Sequence, residues 1–309
     1  MDLVHTWYDG TYLVKEYPCD VSSQHISRLL VDIGDSSIPD RFFSAFSSSM
    51  RHESLLLYDI TTIASHSDNS MFEFGHAKDH DDRLKINLSF VMERRRSLPI
   101  LFEIYPGSIV DVSTLAITLN RIRNLVPVVV IILDRGFFSP DNLRLLHEYE
   151  YIIAATHSRK EVKHVFSANM RRLDSADNTI VYNDKPIFAM HVDFSIGDLA
   201  LKGYLYHDLD LETRERSSFH RHIREVMDTI EKTEPEEKRA AQIRPIGGEY
   251  YKYIRTTVKD GKYHAQARNN AISQRENRMV RFMLVYRGEY SPTECLDLYR
   301  DRDLVEKGV

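Results

Sequence analysis

Two carboxylates stand where apolar runs give way: Asp59 in LLLYDITT and Asp134 in VVVIILDRG. The run before Asp134 has no polar alternation, which is the pattern of a strand covered on both faces. Sites in α/β layers gather at the carboxyl ends of such strands. If the two strands are neighbours, both carboxylates reach the same edge. At about 4 Å and an effective dielectric near 20, two such charges repel by roughly 4 kcal/mol. That cost selects a bound cation or a protonated acid. Oxygen donors without a His or Cys cluster favour Mg²⁺ or Mn²⁺ over zinc, and a shared pair of ions suits in-line attack on a phosphodiester. Glu306, near the C-terminus, is available as a third carboxylate.

The elements that must position these groups follow from patterning. SLLLYDITTIA, LKINLSFVMER and SLPILFEIYPG read as three strands, the last two turning at Arg94 to Ser97. DVSTLAITLNRIRNL follows as a helix with Asp111 or Ser113 as N-cap and Leu115, Leu119 and Ile122 on one stripe. Then come the strand ending at Asp134, the capped helix SPDNLRLLHEYE and the buried strand YIIAATH. Between 158 and 290 the rhythm breaks into strand-like runs (NTIVYN, PIFAMHVDF, LALKGYLYH, EYYKYIRTTV, RMVRFMLVYR). A turn is expected at Asn183 to Pro186, and Phe219, Ile223, Val226 and Ile230 mark a long helix, with Pro235 breaking the charged stretch beyond it. SPTECLDLYRDRDLVEKGV reads as a last helix with Ser291 as cap and Pro292 at its first position. The expected organisation is an N-terminal helical segment (1–53) with one helical piece, SSQHISRLLVDIG, and a catalytic core (54–157). A β-rich insertion (158–290) and a C-terminal helix (291–309) complete it.

The 309 residues have the apolar and charged fractions of an ordinary globular protein. Two distant cysteines, Cys19 and Cys295, form neither a disulfide framework nor a metal knuckle. With no signal region and no apolar run long enough for a bilayer, the cytoplasm is the expected location and no membrane partner is expected. The net charge of −5 hides an uneven distribution. Residues 1–58 carry four Lys or Arg against eight acids, residues 159–172 five against one, and residues 259–290 seven against three. A polyanion would meet the second half of the chain.

Five blocks in order, YDITTIASHS, FGHAKDHDDRLKINLSFV, LPILFEIYPGSIVDVSTL, VVVIILDRGFFSPDNL and LYRDRDLVEK, resemble the catalytic domain of prokaryotic insertion-sequence transposases of the DDE type, in the insertion-sequence-four superfamily. The resemblance covers roughly residues 20–309. It implies a ribonuclease H-like mixed sheet with flanking helices and a β-rich insertion before the last catalytic helix. It also implies metal-dependent cleavage and strand transfer of double-stranded DNA, with Mg²⁺ or Mn²⁺, two ions, held by Asp59, Asp134 and Glu306. Tyr299, Arg302 and Glu306 match the family's Tyr, Arg, Glu spacing, which makes Tyr299 and Arg302 contacts to the phosphate backbone near the scissile bond. Arg135 joins them, and His76 and Lys78 in FGHAKD are further candidates for the same groove. Synapsis of two DNA ends implies a homodimer. The signature's lysine would fall seven residues after Glu306, past Val309, so the chain is expected to stop short of the family's full C-terminal helix. The alternative expectation is a truncated, inactive transposase remnant that binds DNA or an intact subunit.

Haloacid dehalogenase-type phosphatases also end an apolar strand in Asp-x-x-Thr, but Thr61 stands where their second aspartate belongs, and three strands before any helix do not suit them. His191, His207, His220 and His222 show no spacing that closes a metal site. The triplet Arg94 to Arg96 at a turn reads as solvated, and Trp7, Tyr250, Tyr251 and Tyr253 read as packing.

Overall fold

The computed structural model describes residues 2–34, 37–48, 54–65, 71–74, 83–94, 98–109, 111–125, 128–236, 239–277 and 279–302. The expected class holds: the fold is mixed α/β, its mostly antiparallel strands flanked by helices. The chain divides into two compact units, residues 1–132 with 301–309, and residues 133–300.

In the first unit α1 (Asp2–Asp9), α2 (Leu13–Glu16), α3 (Ser23–Ile33) and α4 (Ser37–Ser48) precede the strands. The expected single helical piece is thus one of four. In α1 Tyr8 is buried, donates to the Tyr17 carbonyl and receives the Cys19 amide at 3.2 Å, and in the 12-residue α4 Phe43 meets the Phe102 ring edge-on at 5.5 Å. β1 (Ser54–Ser65), β2 (Leu84–Glu93) and β3 (Leu98–Pro106) form the expected antiparallel meander, and α5 (Asp111–Leu125) leads to β4 (Val128–Leu133). The order here is β3-β2-β1-β4, in which β1 and β4 are neighbours. The expected turn at Arg94 to Ser97 falls mostly outside the described residues.

One face of β1 carries Tyr58, whose hydroxyl hydrogen-bonds Thr114 Oγ1 at 3.0 Å, and Tyr105 shares a 3.2 Å bond with Thr118. Both threonines lie in the buried stripe of α5 with Leu115, Leu119 and Ile122, so the helix closes over the sheet without leaving these phenols unpaired. The Arg121–Glu103 ion pair ties α5 to β3.

In the second unit α6 (Pro140–Leu145) is followed by β5 (Glu150–Ala154), α7 (Lys160–Leu173), β6 (Thr179–Tyr182), β7 (Lys185–Ile196) and β8 (Leu199–His207). Then come α8 (Leu209–Lys232), α9 (Arg239–Gly247), β9 (Ile254–Lys259), β10 (Lys262–Ala267), α10 (Asn269–Glu276), β11 (Arg281–Arg287) and α11 (Pro292–Arg300). The strand order is β5-β11-β8-β7-β6, and β9 and β10 form a separate hairpin. Asn183 and Asp184 at φ 49° and 59° make the tight turn between β6 and β7 where it was expected. EYYKY, expected as strand, is instead a 3-10 turn (Gly248–Tyr253), because its tyrosines pack into a core centred on α8. Asp260 and Gly261, at φ 50° and 70°, turn β9 into β10, a strand the sequence reading passed over. Among the described residues no helix is long and apolar enough to cross a membrane.

Two stability measurements follow. A Cβ at Gly107 would sit 2.7 Å from the Glu73 carbonyl oxygen, and Lys85 backbone crowds it as well. Gly107→Ala is therefore expected to cost about 1–3 kcal/mol in denaturant unfolding, the usual penalty of overpacking, and a native midpoint would refute the close approach. Burial pushes the Tyr58 and Tyr151 phenols up to about 12. The unfolded chain loses those protons near pH 10, so the stabilisation is whole below pH 10 and is lost as pH climbs toward 12, each phenol giving up about 1.4 kcal/mol for every tenfold fall in proton concentration. Melting temperature should fall steeply over that window and less steeply in Tyr58→Phe; equal slopes would contradict the buried phenol.

Candidate active site

Asp134 is the first polar residue after a strand whose Val130, Ile131, Ile132 and Leu133 are all buried. It is half-buried, with extended backbone (φ −75°, ψ 164°), and its carbonyl accepts from the Phe137 amide at 3.1 Å to start the 3-10 turn Arg135–Phe137. Its carboxylate does not cap that turn, so the acid is not explained as a turn former. The loop beyond is fixed by Ser139, which accepts from the Asn142 amide at 3.2 Å, and by the buried Asn142 side chain, which donates to the Phe137 carbonyl at 2.9 Å. Arg135 is exposed in the same turn.

One partner of Asp134 comes from α11, as Tyr299 Oη donates to Asp134 Oδ1 at 3.4 Å. A chain of specific contacts sets this meeting. Ser291 and Glu294 form a reciprocal capping box: the Glu294 amide donates to Ser291 Oγ at 3.2 Å, and Glu294 Oε2 accepts from the Ser291 amide at 2.9 Å. Hydrogen bonds from the Ser291 hydroxyl and amide hold the Glu294 carboxyl below its ordinary range. Tyr204 and Tyr206 on β8 donate to the carbonyls of Tyr290 and Pro292 at 2.9 and 2.8 Å, and Cys295 and Leu296 are buried. Burial raises the Cys295 thiol to about 12, so it is inert packing. The sequence reading missed Tyr204 and Tyr206 as anchors, although their period-two spacing in GYLYH puts both on one face.

Asp59 lies in the first unit, on the β1 face opposite Tyr58, and pairs in register with Phe90. Along that face Leu57 is buried, Asp59 and Thr61 are half-buried and Ile63 is exposed, so the acid stands where burial gives way. Arg302, just past α11, is half-buried, and its neighbour Asp301 is ion-paired with Arg94. Thus Asp134 and Tyr299 are brought together. Glu306, His76 and Lys78 lie outside the described residues. Among the described residues no group of three or more His, Cys, Asp or Glu is arranged to hold a metal. His207 is occupied otherwise: Nδ1 lies 2.6 Å from Asp174, Nε2 faces Glu212, and Arg281 reaches both acids at 3.4 Å.

No protein-family model and no curated protein matches the chain. Among solved structures it is similar to piggyBac transposase in a synaptic complex with hairpin DNA, at 14% identity over 62% of this chain and 38% of that one, TM-score 0.38. It is also similar to Mos1 transposase in a paired-end complex with the left transposon end (15%, 53% and 66%, TM-score 0.23). A third is Drosophila P element transposase in a strand transfer complex (16%, 60% and 42%, TM-score 0.26). The chain spans only 38% of the piggyBac chain and 42% of the P element chain.

Proposed function

We propose that the chain is a DDE-type DNA transposase of the insertion-sequence-four kind, cleaving and joining phosphodiesters at the ends of a mobile element. The observation that carries this reading is the hydrogen bond from Tyr299 of α11 to Asp134, which joins the first residue of the Tyr, Arg, Glu spacing to the acid that follows β4. The neighbouring positions of β1 and β4 support it further.

The proposed donor set, Asp59, Asp134 and Glu306, is carboxylate oxygen throughout, which suits Mg²⁺ or Mn²⁺. Asp59, Asp134 and Glu306 would hold the ions, and bound ions would lower the pKa of water and stabilise the leaving oxygen. Asp134 presents its carboxylate from a loop fixed by Ser139 and Asn142. Tyr299 orients that carboxylate through its hydroxyl, and Arg302 and Arg135 offer guanidinium groups to backbone phosphates. Two copies of the chain, one per DNA end, form the working assembly.

The test is nicking of supercoiled plasmid with Mg²⁺ or Mn²⁺. Asp59→Asn and Asp134→Asn should each lower the rate by about 10²–10³-fold, as loss of a preorganised charge at such a site does. Tyr299→Phe should lower it about tenfold, or roughly 1.4 kcal/mol, with its melting temperature kept. Metal-independent nicking, or native rates in the aspartate variants, would overturn the proposal.

A further inference from the structure

The β9–β10 hairpin carries a face that this chemistry leaves unused. Its inner side chains Ile254, Tyr263 and Ala265 join Phe219, Ile223 and Ile230 of α8 in a core of their own. Strand alternation then turns the other set outward: Arg255, Thr257 and Lys259 on β9, and Lys262, His264 and Gln266 on β10, all exposed. Register sets Lys259 directly opposite Lys262, His264 opposite Thr257, and Gln266 opposite Arg255. Like charges facing each other across a ladder destabilise it, and an anion lying over the face relieves them. Among the described residues no carboxylate is within ion-pairing distance of Arg255, Lys259 or Lys262. From residue 254 to 268 there are four Lys or Arg and one acid, Asp260, in a chain whose net charge is −5. The positive face is therefore a local feature, not a reflection of composition. At its base a recess of about 450 Å³, lined in part by Arg255 and Arg268, continues the charge.

The outward face holds no apolar side chain, which argues against a protein core as its occupant. Its shape fits a nucleic acid. A six-residue ribbon is about 20 Å long, and the major groove of B-form DNA, about 12 Å wide, admits a two-stranded β-ribbon. We propose that the β9–β10 hairpin docks on double-stranded DNA, with Arg255, Lys259 and Lys262 against its phosphates. The choice of DNA as the polyanion rests on the function proposed above.

The experiment is fluorescence anisotropy of the full chain with a random-sequence duplex of about 30 base pairs, in EDTA, from about 50 to 200 mM salt, a range over which such contacts weaken measurably. The variants are Arg255→Gln/Lys259→Gln/Lys262→Gln on the hairpin and Arg171→Gln/Arg172→Gln on α7. The hairpin variant should bind at least about tenfold more weakly and lose about 2–3 from the slope of log affinity against log salt, at about 0.9 per phosphate contact. The α7 variant should stay nearer the native slope. The hairpin variant should melt at or above the native temperature, since it removes a facing like-charge pair. Native affinity and slope in the hairpin variant would overturn the docking while leaving the DNA reading intact. No duplex binding by the native chain would overturn both, and stronger binding of a single strand or of RNA would overturn the choice of duplex. Binding lost with the hairpin variant in EDTA, from a chain that never nicks plasmid, would support the docking and contradict only the catalytic proposal.

Discussion

A strand that buries every side chain can offer a polar group only where it ends. That constraint governs β4, whose last four side chains are buried and whose next residue is Asp134. A carboxylate one or two positions earlier would sit uncompensated in the core, at a cost of several kcal/mol. On β1 the acid instead lies in mid-strand, on a face where burial fades from Leu57 through Asp59 to Ile63. Both acids are half-buried at the margin of buried side chains, and the Asp134 carboxylate meets the Tyr299 hydroxyl. The proposed chemistry would need such groups placed to within a fraction of an ångström, which regular elements beneath them favour.

The second dependence runs through α11. Its start is held by the capping box of Ser291 and Glu294 and by two tyrosine hydroxyls from β8. Those phenols are buried and would be costly to leave unpaired, so the carbonyls of Tyr290 and Pro292 satisfy them while anchoring the helix. Tyr204 stacks on Tyr286 at 4.9 Å and Tyr206 on Phe282 at 5.0 Å, which keeps the anchoring face flat. With its first turn fixed and Cys295 and Leu296 packed, the helix delivers Tyr299 to Asp134. The distance between the anchors and the hydroxyl that matters is less than three helical turns.

Much of this was legible in the sequence because it is local. The unbroken apolar run before Asp134, Ser139 and Ser291 as caps, Pro292 at a first helical position and the turn at Asn183 are decided within a few residues. The three-strand start and the helix under Leu115, Leu119 and Ile122 follow from periodicity. What escaped was decided by distant partners. EYYKY has strand-like composition, but its tyrosines find a better burial against Phe219, and the chain coils into a 3-10 turn. The strand after Asp260-Gly261 was passed over although that dipeptide is a hairpin signal, because its outer face is wholly polar and its inner face only two residues deep. The pairing of Asp134 with Tyr299 could not be read at all from spacing, since 165 positions separate the two.

The most direct test of the proposed two-carboxylate site is calorimetric titration of the folded chain with Mn²⁺, run beside Asp59→Asn and Asp134→Asn. The expected result is saturable binding by the native chain that is lost in both variants while their melting temperatures in metal-free buffer stay native. Saturable binding of undiminished affinity in either variant, or none in the folded native chain, would contradict the assignment of these aspartates as metal ligands.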